Sequence, residues 1–233
     1  MTIEYLEQEQ QKIWHDMEVL AKEFGYAENK PIYDGIYDLS GYLNSKPKIM
    51  WILKEPNGQI NEKKLEKGGW IIPNEVFSNL EKTASQPTWQ VIIYVMYGYL
   101  NGLMYDDMDY IRNKIEMAKV MQSIAYLNVS KMPGYNKSVK SNIEQCYIKW
   151  KSILNKQIET YAPYVIIFGN TFDYFKNDFK NKGLEKVGNY PGWIDVYKSG
   201  QLILLDAYHP SRKGRDYVNT LIEALNGYFP IHK

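Results

Sequence analysis

The chain has 233 residues, 45% of them hydrophobic, and its 28 basic and 27 acidic side chains leave a net charge of +1. This length supports one substantial core, and with no linker or repeat to divide it, residues 1–233 read as a single domain. The balanced charge excludes a general polyanion-binding surface, so any nucleic-acid contact must come from a local patch.

One cysteine, Cys146, excludes an internal disulfide and any zinc or iron–sulfur site built on several cysteines of this chain. The three histidines, His15, His209 and His232, are too scattered to suggest a metal site. No cofactor is expected. The first 20 residues are charged and helical in pattern, unlike a secretory signal. The longest apolar stretch, residues 89–105, is short for a membrane span and rich in Tyr and Gly, which suits a buried helix better. A soluble, cytoplasmic protein without a membrane partner is the expectation.

In chain order, Ile3, Leu6, Ile13, Met17, Leu20 and Phe24 mark one face of an amphipathic helix within an N-terminal helical extension of about 1–45. "KPKIMWIL" (46–53) does not alternate and reads as a strand buried on both sides. A loop to Gly69 precedes helical stretches over about 75–101 and 107–121. "SIAYLNV" (123–129) is a second buried strand, and residues 138–161 form a long helix with Ile143, Tyr147, Trp150, Ile153, Leu154 and Ile158 on its apolar face. Cys146 lies on this helix and faces the core. "YVIIFGN" (164–170) is a third strand. "WIDVYKSGQLILLDAYH" (193–209) is a hairpin turning at Lys198-Ser199-Gly200, its second arm the fourth core strand. A helix over about 214–228 follows.

Strands alternating with helices predict an α/β domain with a mainly parallel sheet, whose ligands gather beyond the carboxyl ends of the strands. Those ends carry Glu55, Asn128, Gly169-Asn170, and Asp206 with His209. A carboxylate on a Pro56-Asn57-Gly58 turn can position a water molecule or take its proton. Asn128 offers donor and acceptor to the edge of an amide-like ring. His209 can donate to a leaving group that gains negative charge. Ser211, Arg212, Lys213 and Arg215 follow it at a helix start and could hold a phosphate. Taken singly, each has a plainer reading: a solvated loop charge, a strand-end cap, a packed histidine. Their common position at one rim is what points to a site.

The order and spacing of four segments resemble the uracil-DNA glycosylase superfamily. "ILKEPNG" looks like its first motif, and "YLNVSKMPG" like the strand that ends in a base-reading Asn, closest to the iron–sulfur branch. "YAPYVIIFGN" is similar to the third strand and "LLDAYHPSRKG" to the closing His-Pro-Ser motif. The match runs from about residue 47 to 220, and "HPS" is its most specific part. The resemblance implies a three-layer α/β/α fold around a four-stranded, mainly parallel sheet. It also implies a monomeric, monofunctional DNA glycosylase of base-excision repair, acting on uracil or a related damaged base in single- or double-stranded DNA.

On that resemblance Glu55 positions the water, Asn128 hydrogen-bonds the flipped base and His209 steadies the charge on the departing base. Trp70, or failing that Phe77, stacks on the base, and the backbone around Asn57 contacts it. The chain departs from the family where Lys54 replaces a small residue and Glu55 replaces a shorter Asp or Asn. The family's apolar wedge would fall near Lys213, and the cluster-ligating cysteines are absent. A catalytically inactive relative that binds nucleic acid or a nucleobase, and a hydrolase of a small nucleotide, are the alternative readings.

Overall fold

The computed structural model describes residues 1–26, 29–58, 60–61, 64–65, 68–134 and 138–231; His232 lies outside them. Helix α1 (Ile3–Glu23) is capped by Thr2, whose hydroxyl accepts from the Tyr5 N–H, and it buries Leu6, Ile13 and Met17. Strand β1 (Gly35–Ile36), helix α2 (Leu39–Asn44) and strand β2 (Ile49–Leu53) follow, then a small two-stranded ribbon of β3 (Ile60–Asn61) and β4 (Lys64–Leu65). The stretch expected as one helix over 75–101 is three pieces. These are a π-helical turn (Pro73–Phe77), α3 (Leu80–Ser85) and α4 (Pro87–Asn101). Asn79 caps α3, and Pro87, which has no N–H for a preceding ladder, starts α4 anew. In place of a helix over 107–121 the chain makes 3-10 segments at Tyr105–Asp107 and Ile115–Ser123.

Strand β5 (Ala125–Asn128), helix α5 (Lys140–Tyr161), strand β6 (Val165–Gly169) and helix α6 (Phe172–Lys180) continue the chain. Strands β7 (Leu184–Tyr190), β8 (Ile194–Ser199) and β9 (Leu202–Ala207) and helix α7 (Arg215–Tyr228) close it. The sheet has seven strands in the order β1-β5-β2-β6-β9-β8-β7, not the four expected. The four anticipated strands, β5, β2, β6 and β9, are its parallel centre. The additions are antiparallel edges, β1 against β5 and the β9-β8-β7 meander. Strand β8 is the first arm of the hairpin expected over 193–209, whereas β1 and β7 escaped the sequence reading for physical reasons. Strand β1 is two residues long, and β7 is a polar, half-exposed edge with a register shift between Lys186 and Gly188.

Helices cover both faces, which is why β2, β5 and β6 read as unbroken apolar runs. Ile49, Trp51 and Leu53 enter a core shared with α4, α7 and the 3-10 segments, while Met50 and Ile52 enter a second core with α1, α5 and α6. Residues 1–45 belong to the same body: α1 packs on α5, and β1 extends the sheet. The apolar stretch 89–105 mostly forms α4, which buries Val91 to Met96 and packs on α7. No helix among the described residues is long and apolar enough to cross a membrane.

A buried ion pair ties this layout together. Asp34, just before β1, is 1% exposed and Lys131, just after β5, is 0% exposed. Lys131 Nζ donates to both Asp34 carboxylate oxygens at 2.8 Å and to Gln157 Oε1 of α5 at 2.8 Å. Asp34 also accepts from Gln157 Nε2 at 2.8 Å and from the Asn128 backbone N–H at 2.7 Å. Removing one partner of such a pair strands a buried charge, at a cost of about 3–5 kcal/mol. Lys131→Met is therefore expected to lower unfolding free energy by about that much in urea titrations. Asp34→Asn combined with Lys131→Met should recover part of the loss. A single-variant loss below about 1 kcal/mol, typical of exposed pairs, would show that the pair does not carry this role.

Candidate functional site

Strand β2 ends where the chain bends at Lys54, and the following turn is stitched to the segment after β5. Val129 N–H donates to Leu53 O and Ser130 N–H to Lys54 O, both at 2.8 Å. Gly134 N–H donates to Pro56 O at 2.8 Å and Gly58 N–H to Gly134 O at 3.0 Å. This pairing sets Asn57 opposite Gly134 and turns its own N–H outward, while its side chain is exposed. A Cβ added at Gly134 would lie 2.1 Å from Glu55 Cδ, so the carboxylate arm lies directly across that glycine. Glu55 is half-buried and held from below.

A second glycine makes room for the His209-Pro210 backbone. A Cβ at Gly169, the last residue of β6, would come within 2.3 Å of Leu53 Cδ2 and 3.2 Å of Pro210 Cδ. Without one, the His209-Pro210 segment packs down on the end of β2. His209 Nδ1 accepts the Ser211 N–H at 3.2 Å, so the neutral ring carries its proton on Nε2 and offers it as a donor. Burial, with the Lys54 and Lys213 charges, depresses the His209 pKa to about 4. The ring is thus neutral at pH 7. Lys54 is itself half-buried, and burial lowers its pKa against the raising effect of Glu55. Among the described residues no carboxylate lies within 4.0 Å of its ammonium.

Asn128 is 0% exposed; its amide lies beside the Tyr126 hydroxyl, and neither its side-chain nitrogen nor its oxygen completes a hydrogen bond of ordinary geometry. Alternation along β5 puts it on the same face as Tyr126. There Phe77 and Trp89 meet Tyr126 at ring-centroid distances of 5.6 and 6.1 Å, and each other at 5.5 Å, all edge-on. Of the two aromatic candidates, Phe77 stands in this group, packed on Tyr126, whose face of β5 Asn128 shares. Trp70 sits at the core margin, its carbonyl accepting from Tyr33 N–H at 3.0 Å. The indole N–H of Trp51, on the neighbouring strand and the same face, is a further buried group without a partner.

The four phosphate candidates lie in the loop after His209 and at the start of α7. Ser211 gives its backbone N–H to His209, and Arg212 is exposed with φ 59°. Lys213 sits over the rings of Trp193 and Tyr208, at 5.4 and 5.2 Å from their centroids. Arg215 is exposed and pairs with Asp106 at 3.2 Å. Cys146 is half-buried on α5, its thiol pushed up by burial. Among the described residues no cluster of histidine, cysteine and carboxylate side chains could hold a metal ion.

Sequence reasoning missed three features here: the Gly134 cradle, Lys54 acting on His209, and a cavity of about 320 Å³ lined by Asn170, Asp173, Trp193, Asp195, Asp206 and Tyr208. The glycine in "KMPG" was the one legible signal of the cradle. Burial, then the charges of Asp173 and Asp195, raise the Asp206 pKa to about 6.

Two titrations check this electrostatic picture. Lys54→Met removes a positive charge facing His209, so the His209 pKa, read by NMR, should move up from about 4 toward its ordinary 6.5; no movement would separate the two groups. Asp206 binds a proton more tightly in the folded state, so it opposes folding above about pH 6. That penalty is relieved as pH falls and is absent below its unfolded value. Asp206→Asn should therefore stabilise the protein at pH 7.5 by about 1 kcal/mol, allowing for its partial exposure, with no gain at pH 3.5 or below.

The sequence matches no family model, and no curated protein matches it, so a functional reading rests on the geometry of this rim.

Proposed function

We infer that the chain is a DNA glycosylase of the uracil-DNA glycosylase type, hydrolysing the N-glycosidic bond of uracil or a related base. The observation that carries this reading is the Asn128 side chain, a fully buried amide whose polar atoms, beside the Tyr126 hydroxyl, complete no hydrogen bond of ordinary geometry. Such burial costs roughly 1–3 kcal/mol on mutational scales unless a partner arrives. A uracil edge, with its N–H beside a carbonyl, complements both atoms at once.

The neighbouring groups fit the chemistry of base release. Glu55, held across Gly134, orients a water molecule toward the sugar carbon and draws on its proton. As the glycosidic bond breaks, its electron pair leaves with the base, and negative charge grows on the ring oxygen facing His209. The Nε2–H of a neutral imidazole donates to that oxygen, and the Lys54 and Lys213 charges that act on His209 favour the same anion. Lys213 and Arg212 meet the phosphates on either side. Because Asn128 and Phe77 are both fully buried, a base reaches the amide only when the packing around it opens. That requirement suits a nucleotide already taken out of the stack.

The same closure favours a second reading, in which the chain binds nucleic acid or a nucleobase without cutting it. Release of free uracil from labelled single- and double-stranded DNA separates the two. For a glycosylase, His209→Ala should lower the release rate by about 10²–10³-fold and Glu55→Gln by about 10²–10⁴-fold, with circular dichroism unchanged. Gly134→Ala, which drives a methyl into the Glu55 arm, should also lower kcat. Full activity in both His209→Ala and Glu55→Gln would remove these residues from the mechanism. Tight binding of uracil-containing DNA with no release would establish the second reading.

A further inference from the structure

Lys54 adjoins Glu55, one of the two groups assigned to base release, and its charge acts on the other, His209, yet the hydrolytic mechanism leaves its amine without a bond to make. The Glu55 charge raises the Lys54 pKa against the lowering effect of burial, and the Lys54 charge lowers that of His209. The Lys54 backbone carbonyl accepts the Ser130 N–H at 2.8 Å, next to the bond from Val129 N–H to Leu53 O. The contrast with Lys131 is instructive. That lysine is fully buried, and all its donors go to Asp34 and Gln157. Lys54 is half-buried on an open edge, and among the described residues no carboxylate is within 4.0 Å to hold it as a structural cation.

Resting on the glycosylase reading, we propose that Lys54 is an amine nucleophile toward the abasic deoxyribose left by base release, which gives the protein a second, strand-cleaving lyase activity. Hydrolysis leaves a sugar in equilibrium with its open-chain aldehyde at C1′. The Lys54 Nζ lone pair adds to C1′, and loss of water leaves a protonated imine. Glu55 takes a proton from C2′, the C–H electron pair forms the C2′=C3′ double bond, and the C3′–O bond breaks with its electrons leaving on the 3′ phosphate. Water then hydrolyses the imine, which frees Lys54 and an unsaturated aldehyde on the 5′ fragment. No oxidant, reductant or metal is needed. Partial burial supports the step, because it lowers the ammonium pKa and enlarges the fraction of free amine near neutral pH.

The test uses DNA in which the abasic site is made beforehand by acid depurination, so that it does not depend on base release by this protein. The full chain is incubated with that DNA and sodium borohydride, which reduces an imine to a stable amine, and the adduct is digested and mapped by mass spectrometry. An adduct on Lys54, together with strand cleavage in the absence of borohydride, is the expected result. Lys54→Gln should abolish both. No adduct, or one located on another lysine or on the terminal amine, overturns the proposal, and because mapping uses the unaltered protein, a poorly folded variant cannot obscure the answer. Uracil release is scored in parallel. Trapping without release would sink the glycosylase reading alone, and release without trapping the lyase proposal alone.

Discussion

The buried Asp34–Lys131 pair is the contact on which the site's architecture depends. Four hydrogen bonds reach the Asp34 carboxylate from the Lys131 ammonium, the Gln157 amide and the Asn128 N–H. They join the edge strand β1, the carboxyl end of β5 and helix α5 at one point. The pair fixes the start of the segment 129–134. That segment in turn pairs with residues 53–58 and lays Gly134 beneath Glu55. An ion pair this deep gains little net stability, since desolvation offsets most of the Coulomb attraction. Its value is positional, because its hydrogen bonds hold β1, the end of β5 and α5 in one register.

Above that anchor, the rim groups are kept in unequal protonation states by their surroundings. His209 is kept neutral by burial and by two nearby ammonium groups, and its ring is oriented by a backbone N–H. On the far side of the His209 loop the signs reverse. Asp206 faces Asp173 and Asp195, and mutual repulsion together with burial raises its pKa to about 6. A polyanion is attracted to the Lys54–Lys213 side of the rim and repelled from the cavity beside Asp206. The cation of Lys213, seated on Trp193 and Tyr208, lies between these two regions.

The central layers were legible because both faces of β2, β5 and β6 are covered, and such strands advertise themselves as unbroken apolar runs. The α5 pattern was equally clear, with Ile143, Trp150, Ile153 and Leu154 all buried as the period predicts. Edge elements were not legible. Strand β7 carries Glu185, Lys186 and Asn189, and its strand state comes from pairing with β8 rather than from its own residues. The helix expected over 75–101 failed at Pro87, where a missing N–H outweighs a continuous apolar pattern.

From sequence alone came the α/β class, the parallel core strands, and the placing of Glu55, Asn128 and His209 at the strand ends. Each of these follows from local periodicity and from the direction of a parallel sheet, which any residue order of this kind imposes. Only the tertiary structure decided that Glu55 rests on Gly134, that Phe77 rather than Trp70 packs on Tyr126 of the face Asn128 shares, that the Asn128 amide is buried without a well-formed hydrogen bond, and that Lys54 acts on His209. Those facts arise between residues some 50 to 155 positions apart along the chain. Burial and charge at a point are properties of what the fold brings there, and no local stretch of sequence contains them.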